Sequence, residues 1–263
     1  MPVWLLRLTA NPVLRQGVRI YFLSKAPLTA VFHYLLALCA ILFVIWPKSQ
    51  ILRIGSPPLT FNIVAIVVML VTAYLSFGYG ASSLLEEPDQ SMRAWAVAQR
   101  LRPGMVLGGL IWLTLSHTLF LLMLSLPLLQ AASHVSGLTP QSFGTALLLM
   151  LVCTLAYRWM GIVTLCVWER QDFIRYVVVR ATFVLLVLGS AFFLPALNPL
   201  MGLISMTFGD ELGQIVTLFG KELSYAAVSL IIHLLLLMAA YIMVSTLVRR
   251  WFTEVSTQAS RQG

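Results

Sequence analysis

Six stretches, roughly 28–46, 59–80, 104–130, 142–168, 176–197 and 224–248, are each long and apolar enough to cross a bilayer as a helix. A hydrocarbon core of about 30 Å needs about 20 such residues. Inside it, only helices and closed barrels satisfy every backbone group. These runs therefore predict an all-α integral membrane protein with six transmembrane helices. The third and fourth runs exceed the minimum, which allows tilt or extension past the bilayer. Composition points the same way. Of 263 residues, 60% are hydrophobic and 10% charged, with mean hydropathy +0.92. A water-soluble domain would be about 25% charged, so this chain lacks the polar residues to cover a globule.

The distribution of Lys and Arg sets the orientation. One set of connecting segments holds Arg7, Arg15, Arg19, Lys25, Arg93, Arg100, Arg102, Arg170, Arg175, Arg180, Arg249, Arg250 and Arg261. The opposite set holds Lys48, Arg53 and Lys221, and Arg158 lies within the fourth run. By the positive-inside rule both termini are cytoplasmic. The net charge of +8 is then a topology signal, and no nucleic-acid partner is expected. The opening MPVWLLRLTANPVLRQG lacks a continuous apolar core and a small-residue cleavage site, so no cleavable signal peptide is expected.

The organisation predicted is an N-terminal amphipathic interfacial helix in 1–27, a six-span domain over 28–248, and a cytoplasmic tail, 249–263. Asn11 suits a helix cap and Pro12 the first turn. From Pro12 to Ser24, Val13, Leu14, Gly17, Val18, Ile20 and Tyr21 fall on one face, and Arg15, Gln16 and Arg19 on the other. That pattern predicts a helix lying in the membrane interface, its arginines toward headgroups or a cytosolic partner.

The first cytoplasmic loop, 81–103, is longer than most helix–helix connections. Pro88 and Pro103-Gly104 bracket good helix formers, Asp89 is a candidate cap, and Met92, Trp95, Ala96 and Leu101 form an apolar stripe. A short amphipathic helix is expected, preceded by Glu86, Glu87 and Asp89, where the helix dipole favours anions.

Three local patterns resemble one family. Asn11-Pro12-Val13-Leu14 followed by Arg19 resembles the N-P-V-L-x-x-E-L-R opening of an interfacial helix. Glu87-x-Asp89-x-Ser91 resembles an E-x-E-x-G-T signature in a first cytoplasmic loop, with fitting spacing to Pro103 and Gly109. Leu194-Pro195-Ala196-Leu197-Asn198-Pro199 resembles an L-P-x-x-N-P pattern before a last span. Together with the six-span plan, these resemble the permease subunit of a type 2 ABC exporter of a bacterial inner membrane. Gly17 stands where that opening usually has Glu, Pro88 replaces Arg, and Ser91-Met92 replaces Gly-Thr.

The resemblance implies a catalytically inert translocation subunit that dimerises with a second permease subunit, as homo- or heterodimer, within the lipid bilayer. Separate ABC ATPase subunits, which carry ATP and Mg, would dock on its cytoplasmic helices and drive export. Loop 81–103 would be the coupling helix. Glu87, Asp89, Arg93, Trp95, Arg100 and Arg102 are the candidate docking residues, with Arg15 and Arg19 as a second contact. The outer segment, 198–223, would hold a re-entrant or interfacial helical pair.

Other chemistry is poorly supported. Gly213 to Gly220-Lys221 has the wrong gap for a P-loop, and Glu222 stands where magnesium needs Ser or Thr. Cys39, Cys153 and Cys166 have neither metal-site nor redox spacing. No metal or other cofactor is expected in this chain. A secondary transporter coupled to an ion gradient is an alternative, although none of the nine acidic residues lies mid-span. A haem- or quinone-associated redox anchor is another. Of His33, His117, His134 and His233, the first two differ in depth by about 12 Å, whereas His117 and His233 would pair only if their spans are neighbours. Those two and Arg158, the charge well inside a span, are candidate pathway residues. Gly104-x-x-x-Gly108 is a candidate close-packing motif.

Overall fold

The computed structural model describes residues 11–46, 59–85, 91–208, 215–218 and 220–262. The expectations for residues 1–10 and for Glu86, Glu87, Pro88 and Asp89 lie outside the described residues. About 86% of the structure is helical, and six helices are long and apolar enough to cross a membrane. The chain is a multi-pass membrane protein.

Helix α1 spans Pro12–Val18 and passes into a π-helical turn, Arg19–Leu23. Span one is α2, Lys25–Ile45, and span two is α3, Leu59–Ala81. The loop helix α4, Met92–Ala98, precedes span three, α5, Pro103–Val135, and span four, α6, Pro140–Val167. Span five starts as α7, Asp172–Phe183, continues through a π segment, Val184–Gly189, and ends in α8, Ser190–Phe193. A 3-10 turn, Pro195–Leu197, leads to α9, Pro199–Phe208. Strands β1, Ile215–Leu218, and β2, Lys221–Ser224, precede span six, α10, Tyr225–Gln262.

The boundaries follow local chemistry. Pro103 and Pro140 occupy first helical positions, where the missing amide costs nothing. Between them, Gly137 takes φ 66° and the Leu138 amide donates back to the Ser133 carbonyl at 3.1 Å, ending α5 in a left-handed cap. The Thr139 hydroxyl then accepts from the Ser142 amide at 3.2 Å and starts α6. The turn needs few residues because each one satisfies a helix end.

Spans two, three and four form the centre. Two-thirds of the most apolar window of span four (67%) is buried within the chain, against 11% for spans one and five. Where α3 crosses α6, Gly80 and Gly161 meet backbone to backbone; a Cβ on Gly161 would lie 2.9 Å from the Gly80 Cα. The expected Gly104–Gly108 motif is not a contact within the chain, since a Cβ at either would meet nothing within 4 Å. Its small residues sit on the open side of α5, and Gly109, one position further on, makes the close approach instead.

The outer segment differs from the expected helical pair. Asn198 does end one element and start the next: its Oδ1 accepts from the Leu200 and Met201 amides, and its Nδ2 donates to the Val187 carbonyl at 2.8 Å. Helix α9 follows as expected. The second half is an antiparallel hairpin, with Ile215 opposite Ser224 and Leu218 opposite Lys221. Ile215, Val216 and Thr217 are β-branched, which favours strand over helix, and Gly220 supplies φ 75° in the connection. The predicted tail, 249–263, starts as a continuation of span six, because α10 runs without a break to Gln262.

Candidate functional site: a paired-helix surface over a buried arginine

Two cores lie within the helices. The larger joins spans two and four to spans one, three and five. The other lies at the arginine-rich end and gathers Val13 and Tyr21 from the N-terminal segment, Met92 and Ala96 from α4, and Leu110, Ile162 and Val244 from spans three, four and six. The two helices picked out by sequence as interfacial and coupling elements therefore share one core with the ends of three spans.

Asn11 anchors α1. Its Oδ1 accepts from the Val13 amide at 3.0 Å and the Leu14 amide at 3.3 Å, while its Nδ2 donates to the Met105 carbonyl at 2.8 Å. One side chain thus caps α1 and ties it to the start of α5. Val13, Gly17 and Tyr21 are buried at i, i+4 and i+8, and Arg15 and Arg19 are exposed, as the helical pattern predicts. Gly17 has a physical reason for departing from the resembled Glu. A Cβ there would run into Leu113 of α5, and a Cβ on Gly109 would lie 2.7 Å from the Val13 Cβ. The helices touch too closely for a side chain.

Helix α4 is capped by a residue other than the one expected. The Ser91 hydroxyl accepts from the Ala94 amide at 3.0 Å, and the Glu169 carboxylate accepts from the Arg93 amide at 2.5 Å. Glu169 comes from the connection between spans four and five, so no local pattern pointed to it. Its own backbone is held in turn, since Arg175 donates to the Glu169 carbonyl at 2.7 Å and pairs with Asp172. At the other end Arg100 takes φ 49° and the Leu101 amide donates to the Ala96 carbonyl at 3.0 Å. This is a left-handed helix cap, a position glycine fills at lower cost. Met92, Ala96 and Leu101 are buried and Trp95 half-buried, so the predicted stripe is the packed face; Arg100 and Arg102 are exposed.

Of the predicted docking residues, the fold brings Trp95 beside Arg15 and Arg19; Arg93 lies on a second groove, and Arg100 and Arg102 line neither. A groove of about 710 Å³ lies between α1 and α4, lined by Leu14, Arg15, Gln16 and Arg19 on one wall and Trp95 and Gln99 on the other. A second, of about 390 Å³, flanks the far side of α4 and is lined by Arg93, Val97, Glu169 and Arg170.

Arg158, 1% exposed, lies against the same core, beside Tyr21, Leu110 and Ile162. Its guanidinium carbon is 4.6 Å from the Tyr21 ring centroid and 5.6 Å from that of Tyr79. Its Nη1 lies 3.3 Å from His117 Nδ1; arginine can only donate, so Nδ1 accepts and His117 carries its proton on Nε2. Nη2 has no partner and adjoins a cavity of about 10 Å³, the room one water occupies, lined by Tyr21, Thr114 and Leu113 among others. Among the described residues no carboxylate pairs with Arg158. Its charge is met by aromatic faces and one imidazole. Tyr21 in turn donates its hydroxyl to the Tyr79 carbonyl at 2.7 Å. Burial pushes the Tyr21 phenol up to about 12, against the opposing pull of the Arg158 charge.

His117 and His233 do not pair. His117 is wedged among Tyr21, Phe22 and Tyr79, at ring distances of 5.5, 5.2 and 4.9 Å. His233 donates from Nδ1 to the Ser229 carbonyl at 2.7 Å and accepts at Nε2 from the Tyr157 hydroxyl at 2.9 Å. Their partners, Arg158 and Tyr157, are adjacent on α6 and so project about 100° apart. All three candidate pathway residues are packed against neighbours inside the single chain. Among the described residues no cluster of three or more His, Cys, Asp or Glu side chains has metal-binding geometry.

Sequence reasoning missed Tyr79 and Glu169 entirely, and placed Tyr21 only on an apolar face. No family model matches the chain, and neither does any curated protein or solved structure.

Proposed function

We propose that this chain is the translocation subunit of an ATP-driven exporter, inert by itself, and that a separate ATPase docks in the groove between α1 and α4. The observation that carries this reading is the groove itself. It joins Arg15 and Arg19 to Trp95, docking candidates about eighty positions apart in the chain. An aromatic anchor flanked by arginines is the composition of a protein-binding hot spot. The shared core beneath gives a push on either helix a route into spans three, four and six. Arg100 adds weight: a left-handed position held by arginine suggests a side chain kept for its charge. A second permease subunit would complete the pathway, and ATP and Mg would sit on the partner.

The test is purification from native membranes in mild detergent, with ATP hydrolysis and partner identity measured on the same sample. An ATPase should co-purify with the unaltered chain. It should be lost on Arg15→Glu with Arg19→Glu, and on Trp95→Ala, while Lys221→Glu retains it. The absence of any ATP-hydrolysing partner, or one indifferent to these substitutions, overturns the proposal. A haem absorbance band would favour the redox-anchor reading instead.

A further inference from the structure

A groove of about 490 Å³ runs between spans two and five at the arginine-rich end, away from the α1–α4 surface. Its mouth holds Ser82, Ser83 and Asp172, and its deep end holds Tyr74, Tyr176 and Arg180. Arg180 is eight residues into α7 from Asp172, or about 12 Å along the axis. Tyr74 is seven residues from the end of α3, or about 10 Å. The two therefore meet at one depth, with the guanidinium 5.9 Å from the Tyr74 ring and stacked on Tyr176 at 3.0 Å. By folding back onto Tyr176, about 6 Å from Asp172, the guanidinium lies within the headgroup layer of about 5–8 Å for a helix entering a bilayer at its first turn.

The charges on the described lining residues do not balance. Asp172 is taken by Arg175, whose remaining bonds go to the Trp168 and Glu169 carbonyls. Among the described residues Arg180 is met by the faces of Tyr74 and Tyr176, and no carboxylate pairs with it. Among the described lining residues two arginines stand against one aspartate, one positive charge in excess. Beyond Arg180 the same face becomes apolar and open, with Val184 52% and Leu188 44% exposed.

A half-polar groove with a surplus cation at headgroup depth, leading onto an apolar face, has the chemistry of one amphiphile. We propose that this groove holds a single acidic phospholipid, its phosphate on the Arg180 guanidinium and its chain along Val184 and Leu188. Guanidinium matches phosphate in geometry as well as charge. A zwitterionic lipid would bring its own cation into a site already carrying a positive charge. The site stands apart from ATPase docking, so its failure leaves the proposed function untouched and the reverse holds as well.

The experiment is native mass spectrometry of the detergent-purified full chain, offered phosphatidylglycerol and phosphatidylcholine of matched chains in equal amounts. One bound phosphatidylglycerol should be retained roughly fivefold over phosphatidylcholine, the discrimination one arginine gives at a membrane surface. Arg180→Gln should abolish the preference and Arg180→Lys should keep part of it. Equal retention of the two lipids by the unaltered chain overturns the proposal, and this comparison needs no variant to fold. Displacement of the lipid by millimolar inorganic phosphate would assign the site to a free anion instead and overturns it too.

Discussion

Arg158 and Tyr21 should be energetically coupled, in an unusual direction. Arginine at the middle of a membrane helix costs about 2.5–3.5 kcal/mol. Here no described carboxylate offsets that cost. The compensation is a cation–π contact with Tyr21 at 4.6 Å, a longer one with Tyr79 at 5.6 Å and a hydrogen bond to His117. A desolvated cation–π contact is worth about 2 kcal/mol, and a hydrogen bond to a charged group about 1.5–3 kcal/mol. Cost and compensation are close to equal, so Arg158→Met should leave stability within about 1 kcal/mol of the parent, as with other buried charges replaced by apolar residues. Tyr21→Leu is different. It removes the nearer ring, about 2 kcal/mol, and the hydroxyl bond to the Tyr79 carbonyl, about 1 kcal/mol. The single substitution should therefore cost about 3 kcal/mol. With Arg158→Met already present only the hydroxyl term remains, about 1 kcal/mol, which leaves a coupling of about 2 kcal/mol. Reversible unfolding of the four proteins in mixed detergent micelles measures it. If Tyr21→Leu costs the same in both backgrounds, the arginine is not held by that ring and the argument fails.

Three further outcomes follow from the same contacts. Tyr21 keeps its proton to about pH 12 in the fold and to about 10 when unfolded, so between those values the folded state binds more protons and stability falls as pH rises; the loss is on the order of 2–3 kcal/mol, and Tyr21→Phe should flatten that window in a pH-resolved melting series. Glu169→Ala removes the carboxylate from the Arg93 amide and should weaken α4 by about 1 kcal/mol, read as several-fold faster hydrogen exchange across Met92–Ala98 with α6 unchanged; equal exchange rates would show that Ser91 alone holds the helix. Arg100→Gly relieves the left-handed cap and should slow exchange in α4, a stabilisation of about 1 kcal/mol, while weakening ATPase retention; a loss of helix stability would contradict the cap assignment.

The spans were legible because a bilayer imposes one length and one composition on each, and the structure changes their ends by a few residues, except that the sixth helix continues past its span to Gln262. The face of α1 was legible for a related reason: a helix with a cap at Asn11 and a 3.6-residue period has few ways to bury Val13, Gly17 and Tyr21 together. What lay beyond reach was tertiary pairing. Glu169 caps a helix 76 residues earlier, and nothing near Glu169 marks it as a cap. Tyr79 is one more aromatic residue in an apolar run until Arg158 is opposite it. The hairpin at 215–224 was misjudged because an outer segment between two spans was read by overall polarity, whereas β-branching at Ile215, Val216 and Thr217 was the deciding local signal. The glycine motif failed similarly: spacing picked out Gly104 and Gly108, but only the fold shows that backbones meet at Gly80 and Gly161 and that Gly17 and Gly109 face the side chains of Leu113, Val13 and Asn11.

On the proposed reading, the placement of these contacts limits how a push could travel. An ATPase moves this chain only if it binds one arrangement better than another. Helix α1 has little freedom to slide on α5, because Gly17 and Gly109 already sit at the limit of approach and Asn11 bonds across the joint. Helix α4 is held by Glu169 to the connection after span four and packs its stripe into the same core. The two helices should therefore move with the inner ends of spans three, four and six as one body. The elements left to yield are those outside that core. Span five is mostly uncovered and contains a π segment at Val184–Gly189, where the regular hydrogen-bond ladder is interrupted. Span one joins α1 through a second π turn, at Arg19–Leu23. Cysteine pairs across α1–α5 should then crosslink without stopping transport, and pairs that fix span five to span two should stop it. The opposite result would place the moving joint at the interfacial helix.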